Sequence, residues 1–102
     1  MRVFVAGPYG DRNPEDVIQR NVDKADQIGR DLMAMGYQVY VPHTMSHGWE
    51  KDKRLTTEQF YELDKSFLRL WAEAIYRIPG DSAGADAEMA LAKELGLVIL
   101  TP

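Results

Sequence analysis

The residues best suited to chemistry lie near the C-terminus, in Asp81-Ser82-Ala83-Gly84-Ala85-Asp86-Ala87-Glu88-Met89-Ala90-Leu91-Ala92, where carboxylates stand among very small side chains. Small neighbours leave room for a ligand beside a carboxylate, and a helix opening here would turn unpaired backbone amides towards an anion such as phosphate. Helical spacing sets Ala87, Ala90, Leu91 and Leu95 towards the core, so Glu88 is expected at the edge of the buried stripe, able to point into a cleft. A second carboxylate, Asp64, sits in an earlier helical pattern. Two further groups precede it: the turn Gly7-Pro8-Tyr9-Gly10 with Arg12 behind it, and His43 with Met45, His47 and Trp49. Histidines four apart could bind zinc on a helix, but Pro42 and Gly48 argue against a helix and no third ligand is evident, so no metal site is expected. His43, Met45, His47 and Trp49 could line a pocket for a flat base, or simply form a surface loop.

Each of these residues also has an ordinary structural role. Taken alone, Glu88 is a solvated helix glutamate, Asp64 beside Lys65 is surface charge, and Ser82 and Asp81 are helix caps. Gly7 and Gly84 serve as turn residues, and Arg12 as a solvated loop residue. The Gly7-to-Gly10 turn lacks the third correctly spaced glycine of a dinucleotide-binding fingerprint.

The elements that must position these groups follow from periodicity. Val3 to Ala6 is a short apolar run ended by a Gly-Pro turn, the pattern of a buried strand. Asn13-Pro14-Glu15-Asp16 supplies an N-cap, a proline at the first helical position and acids in the first turn. The helix then carries Ile18, Val22, Ala25, Ile28, Leu32 and Met35 at spacings of three and four up to Gly36. Val39 to Val41 reads as a second strand, and the polar stretch from His43 to Arg54 as a long loop. Thr56 or Thr57 caps a helix with an aromatic-rich stripe of Phe60, Leu63, Phe67, Leu70 and Trp71, suited to core or subunit interface. Ala74 to Ile78 is a third strand, Ala83 to Leu95 a helix and Leu97 to Leu100 a final strand. This alternation predicts an α/β fold: a three-layer, Rossmann-like (flavodoxin-like) parallel sheet of about four to five strands flanked by helices, as a single domain over residues 1–102. Ligands of such sheets sit at the carboxyl ends of the strands, where the turns at Gly7–Gly10, Pro42–Gly48 and Pro79–Gly84 converge.

Composition narrows the function classes. A net charge of -4 and a pI near 5.1 argue against a surface that tracks nucleic-acid phosphates, so a small-molecule ligand is expected. The absence of cysteine excludes disulfides, thiolate chemistry and Cys-based zinc sites. The N-terminus turns polar too soon for a signal peptide, and no apolar run approaches the roughly 20 residues of a membrane span, which points to a cytoplasmic protein.

Ser82, Gly84 and Glu88, together with Asp64 before Phe67-Leu68 and the first turn Ala6-Gly7-Pro8-Tyr9, resemble the nucleoside 2-deoxyribosyltransferase superfamily. They are most similar to its 2'-deoxynucleoside 5'-phosphate N-hydrolases, and the resemblance spans nearly the whole chain. It implies that Glu88 is a nucleophile forming a glycosyl ester at C1', with the base leaving and water or another base arriving. Asp64 would orient Glu88 or bind the sugar hydroxyl, Ser82 and the amides near Gly84 would hold the 5' end of the substrate, and Gly7, Pro8, Tyr9, Arg12 and His43 would line the site. A Ser at position 82 resembles the hydrolases, which favours a nucleotide, whereas Pro8 stands where those hydrolases carry a phosphate-binding Ser. The resemblance further implies no metal or redox cofactor, and a homodimer or higher even oligomer whose partner subunit closes the pocket. Two rival readings share the same residues: a non-catalytic nucleotide-binding module, and hydrolysis of another N-glycoside such as a nicotinamide dinucleotide.

Overall fold

Val3, Phe4, Val5 and Ala6 are all buried, so the strand they form is covered on both faces and must be central. The computed structural model, which describes residues 1–10 and 14–102, places it so. In chain order the elements are β1 (Arg2–Ala6), α1 (Glu15–Ala34), β2 (Gln38–Tyr40), α2 (Pro42–Trp49), α3 (Thr57–Leu70), β3 (Ala74–Arg77), α4 (Ala83–Glu94) and β4 (Val98–Leu100). The strands form one all-parallel sheet of order β2-β1-β3-β4, with Phe4 beside Tyr40 on one side and Ile75 on the other. The sheet thus has four strands in the flavodoxin-like order, whose switch point lies between β1 and β3.

Side-chain alternation along β1 divides the core. Val3 and Val5 pack with Ala25 and Leu32 of α1, while Phe4 and Ala6 pack with Leu68 of α3 and with Ala85 and Ala92 of α4. The expected stripe of α1 is buried at Ile18, Val22, Ala25 and Leu32, whereas Met35 falls at the C-cap and is exposed. The cap expected at Asn13 lies, like Arg12, outside the described residues; Pro14 occupies the cap position rather than the first helical one. On α3 the cap is Thr56, in a full capping box with Gln59, and Leu68 is buried where Leu70 was expected to be.

Two expectations are overturned. The polar stretch after β2 does not begin as a loop: residues Pro42–Trp49 form α2, packed beside α1. Pro42 sits in its first turn, where a missing N–H costs nothing, and Gly48 is tolerated near its end. On α4 the buried residues are Ala85 and Ala92, with Met89 and, as expected, Leu91 packed against their cluster, whereas Ala87 and Ala90 are exposed and Leu95 is 40% exposed. The cap at Ser82 sets the phase of α4, and the spacing 85, 89, 92 leaves Glu88 partly exposed at the edge of the buried stripe and facing the cleft, as expected.

Candidate functional site

The carboxyl ends of β1, β2 and β3 open onto a cleft of about 800 Å³, within the range of small-ligand sites. β1 sends Gly7, Pro8, Tyr9 and Gly10 into its wall, the start of α2 brings His43, α3 brings Asp64, and the turn into α4 brings Ser82, Gly84 and Glu88. These expected residues therefore share one cavity; Arg12 lies outside the described residues. Met45, His47 and Trp49 do not line it, because α2 turns His43, Ser46 and Glu50 inwards instead. His47 pairs with Glu15 at 3.2 Å, and Trp49 is half exposed. Although the two histidines do lie on a helix, their Nε2 atoms have different partners, Pro8 and Glu15.

Asp64 and Glu88 face each other across the α3–α4 pair and share a hydrogen bond. Burial pushes Asp64 up to about 6. Burial, then the charge and hydrogen bond of Asp64, push Glu88 up to about 9, opposed by the positive charge of Arg77. Two carboxyls in contact cannot both ionise cheaply, so the two steps belong to the pair, which keeps one proton at neutral pH. Arg77 does not line the cleft. It bonds Asp86 at 2.8 Å and the Gly80 carbonyl at 3.0 Å, and also the Ile78 carbonyl, tying the turn after β3 to the start of α4.

The cleft walls are fixed by close packing. A Cβ at Gly7 would stand 2.7 Å from Ile78 Cβ, and one at Gly80 2.7 Å from Pro8 Cγ, so the turns after β1 and β3 touch backbone to side chain. His43, only 6% exposed, bonds the Pro8 carbonyl through Nε2 at 3.0 Å. Burial holds its pKa below the usual histidine value, so the ring is neutral and Nε2 is the donor. Tyr9 meets the same ring edge-on, donates its hydroxyl to Glu50 at 2.5 Å, and accepts from Asn21 through its carbonyl. Ser82 caps α4 by accepting from Ala85 N at 3.1 Å while facing the cleft.

Several lining residues escaped the sequence reading. Phe60 lines the cleft with Tyr61, and Phe67 and Trp71 pack behind it, Phe67 stacked on Tyr40. The positions His43, Ser46 and Glu50 carry helical spacing that was visible in the sequence, but Pro42 and Gly48 masked it. The charge of the cleft is also new. Among the described residues, Glu15, Glu50, Asp64, Asp81 and Glu88 line it against Lys51.

The chain belongs to the family described as Domain of unknown function (DUF4406), which matches residues 1–101. No curated protein matches it. Among the described residues, no helix is long and apolar enough to cross a membrane, and no three His, Cys, Asp or Glu side chains cluster as a metal site would require.

Proposed function

We propose that this protein is an N-glycosidase or 2-deoxyribosyltransferase. It cleaves the bond between base and sugar in a 2'-deoxynucleoside or its 5'-monophosphate, in the cytoplasm and without metal or redox cofactor. The observation that carries this reading is the hydrogen-bonded Asp64–Glu88 pair, partly buried on the wall of a cleft large enough for a nucleoside, where the two carboxyls cannot both ionise cheaply. The pair has two singly protonated forms, and in the less favoured one the proton sits on Asp64 and Glu88 is the free carboxylate. It attacks C1', the C1'–N bond breaks, the base leaves with the electron pair and takes up a proton, and a glycosyl ester remains. Water opens the ester in hydrolysis, and a second base opens it in transfer. Carboxyls that act from opposite sides of a sugar stand about 5 Å or more apart. A hydrogen-bonded pair is closer, so Asp64 acts through Glu88 by holding the proton and orienting the attacking oxygen.

The acidic lining weighs against a 5'-phosphate and favours the uncharged nucleoside, although the amides and hydroxyl at Ser82 would suit either. A homodimer is part of the proposal. A groove of about 350 Å³ between α3 and α4, bordered by Tyr61, Lys65, Arg69, Ala87 and Leu91, reaches Glu88, and a second copy seated there would close the site.

A specific observation also favours a second reading, a non-catalytic nucleotide-binding module: in the form of the pair with the proton on Glu88, that carboxyl recognises a ribose hydroxyl and does not attack. Chromatography of free base separates the two. Wild type and Glu88→Ala are incubated with nucleosides, 5'-monophosphates and a nicotinamide dinucleotide, with and without an acceptor base. Release by wild type alone supports the glycosidase, and exchange products mark transfer. Binding without release from any substrate supports the module.

A further inference from the structure

Tyr40, the last residue of β2, takes no part in the mechanism above, yet its placement is specific. Its ring lies flat on Phe67 of α3, with centroids 3.7 Å apart and planes 8° from parallel, and is tilted against Phe4 of β1 at 5.7 Å. Phe67 follows Asp64 by one helical turn on the same face of α3, and the core cluster on which Tyr40 packs includes Ala85, one turn before Glu88 on α4. The ring is therefore held between β1 and α3, the helix that carries Asp64. Its hydroxyl oxygen is buried and has no hydrogen-bond partner among the described residues. A buried hydroxyl left without a partner is costly, and folds retain few of them. Burial, then the charges of Asp64 and Glu88, push its ionisation well above the usual tyrosine range, so it keeps its proton and lies within the field of both carboxyls.

We propose that the Tyr40 hydroxyl is a positioning donor for the Asp64–Glu88 pair, donating a hydrogen bond to the carboxylate that forms when the pair gives up its shared proton. Tyr40 does not line the cleft, so it touches no substrate and acts through the pair from beneath. The charged or titratable groups near the pair are then Tyr40 from β2 and Arg77 from β3, neutral His43 with Glu15, Glu50, Lys51 and Asp81 on the same cleft, and Lys65 and Arg69 of α3 in the groove that reaches Glu88. A donor to the ionised form lowers the pH at which the second proton leaves and, aimed at Glu88 while Asp64 holds the proton, favours the attacking carboxylate. That catalytic meaning rests on the proposed glycosyl chemistry, whereas the hydrogen bond does not.

The test is a carboxyl carbon-13 NMR titration of the whole protein labelled at Asp and Glu, in wild type and in Tyr40→Phe, which keeps the ring stack and removes the hydroxyl. The expected result is that the upper midpoint of the pair rises in the variant by about half a unit to one unit, a three- to tenfold gain in proton affinity. An unchanged midpoint overturns the proposal. A measurement on the unsubstituted tyrosine guards against a variant that fails to fold. The Tyr40 Cζ resonance should shift across the upper transition of wild type and stay flat in Glu88→Gln; a flat response in wild type also overturns it. Base release is assayed separately on the same samples. Its absence counts against the glycosidase alone, because the titration still decides the hydrogen bond; its presence adds the expectation that the pH–rate profile of Tyr40→Phe moves by the same amount as the midpoint.

Discussion

Asp64 of α3 and Glu88 of α4 share a hydrogen bond on the wall of the cleft, and partial burial holds both carboxyls above the ordinary carboxylate range. Glu88 is at the edge of the core-facing stripe of its helix, between Ala85 and Ala92. A glutamate in that position has its carboxyl partly removed from bulk water, and Asp64 is the acid that meets it there.

Because both groups bind protons more tightly in the folded chain than in the unfolded one, the stability they contribute is complete below about pH 4. It is lost as pH rises through about 6 and then about 9. Thermal melts at pH 5, 7 and 9 should show a fall in wild type that is shallower in Glu88→Gln, with the variant the more stable at pH 9 by on the order of a few kcal/mol. A variant that loses stability in parallel with wild type across this range would mean that the pair is not buried as described.

The acidic lining predicts a preference between substrates. On the proposed chemistry, kcat/KM for a deoxynucleoside should exceed that for its 5'-monophosphate by about tenfold at low ionic strength, with the gap closing as salt screens the cleft. Initial rates of base release at two salt concentrations measure this. A monophosphate preferred at low salt would show that the Ser82 amides outweigh the surrounding carboxylates.

His43 joins the turn after β1 to α2 through its bond to Pro8, and His43→Ala leaves both a cavity and an unpartnered carbonyl. A loss of about 2 kcal/mol in chemical denaturation is expected, together with weaker ligand binding as the Gly7–Tyr9 wall loosens. The lowered pKa of His43 also predicts that its stabilising contribution, present above pH 6.5, declines as pH falls below that value. Imidazole proton shifts followed from pH 8 to 4 should place its midpoint below that of a free histidine.

Two glycines of the cleft should respond differently to alanine. At Gly7 the new Cβ meets Ile78 at 2.7 Å in a packed turn, so Gly7→Ala should cost about 1–3 kcal/mol. At Gly84 the nearest atom is Tyr61 Cε1 at 3.9 Å, an ordinary contact, so Gly84→Ala should melt within a degree or two of wild type or above it. Its effect should appear instead in ligand affinity, since the methyl group protrudes where small residues leave room. Parallel melts and binding titrations of the two variants distinguish these outcomes.

The order of strands and helices was legible in the sequence because each element carries its own local signal. Apolar runs end at Gly-Pro turns, stripes recur at three and four, and Thr56 and Ser82 announce the helices they cap. An apolar β1 buried on both faces already implied the parallel, doubly covered sheet. Local signals failed where two of them conflicted. Pro42 and Gly48 suggested a loop, but Pro42 falls in the one turn of a helix that tolerates it, and packing beside α1 stabilises the rest. They failed again on α4, where many alanines leave several faces equally apolar, so only docking on the sheet decides which face is buried. The likeness of Ser82, Gly84, Glu88 and Asp64 to a family pattern was readable along the chain. The contact between Asp64 and Glu88, the unpartnered Tyr40 hydroxyl beneath them and the acidic rim from Glu15, Glu50 and Asp81 were not, because burial and electrostatic coupling depend on distances between elements far apart in sequence. The sequence determined which groups were present and which elements would carry them; tertiary packing alone decided which of them meet, and in what state of protonation.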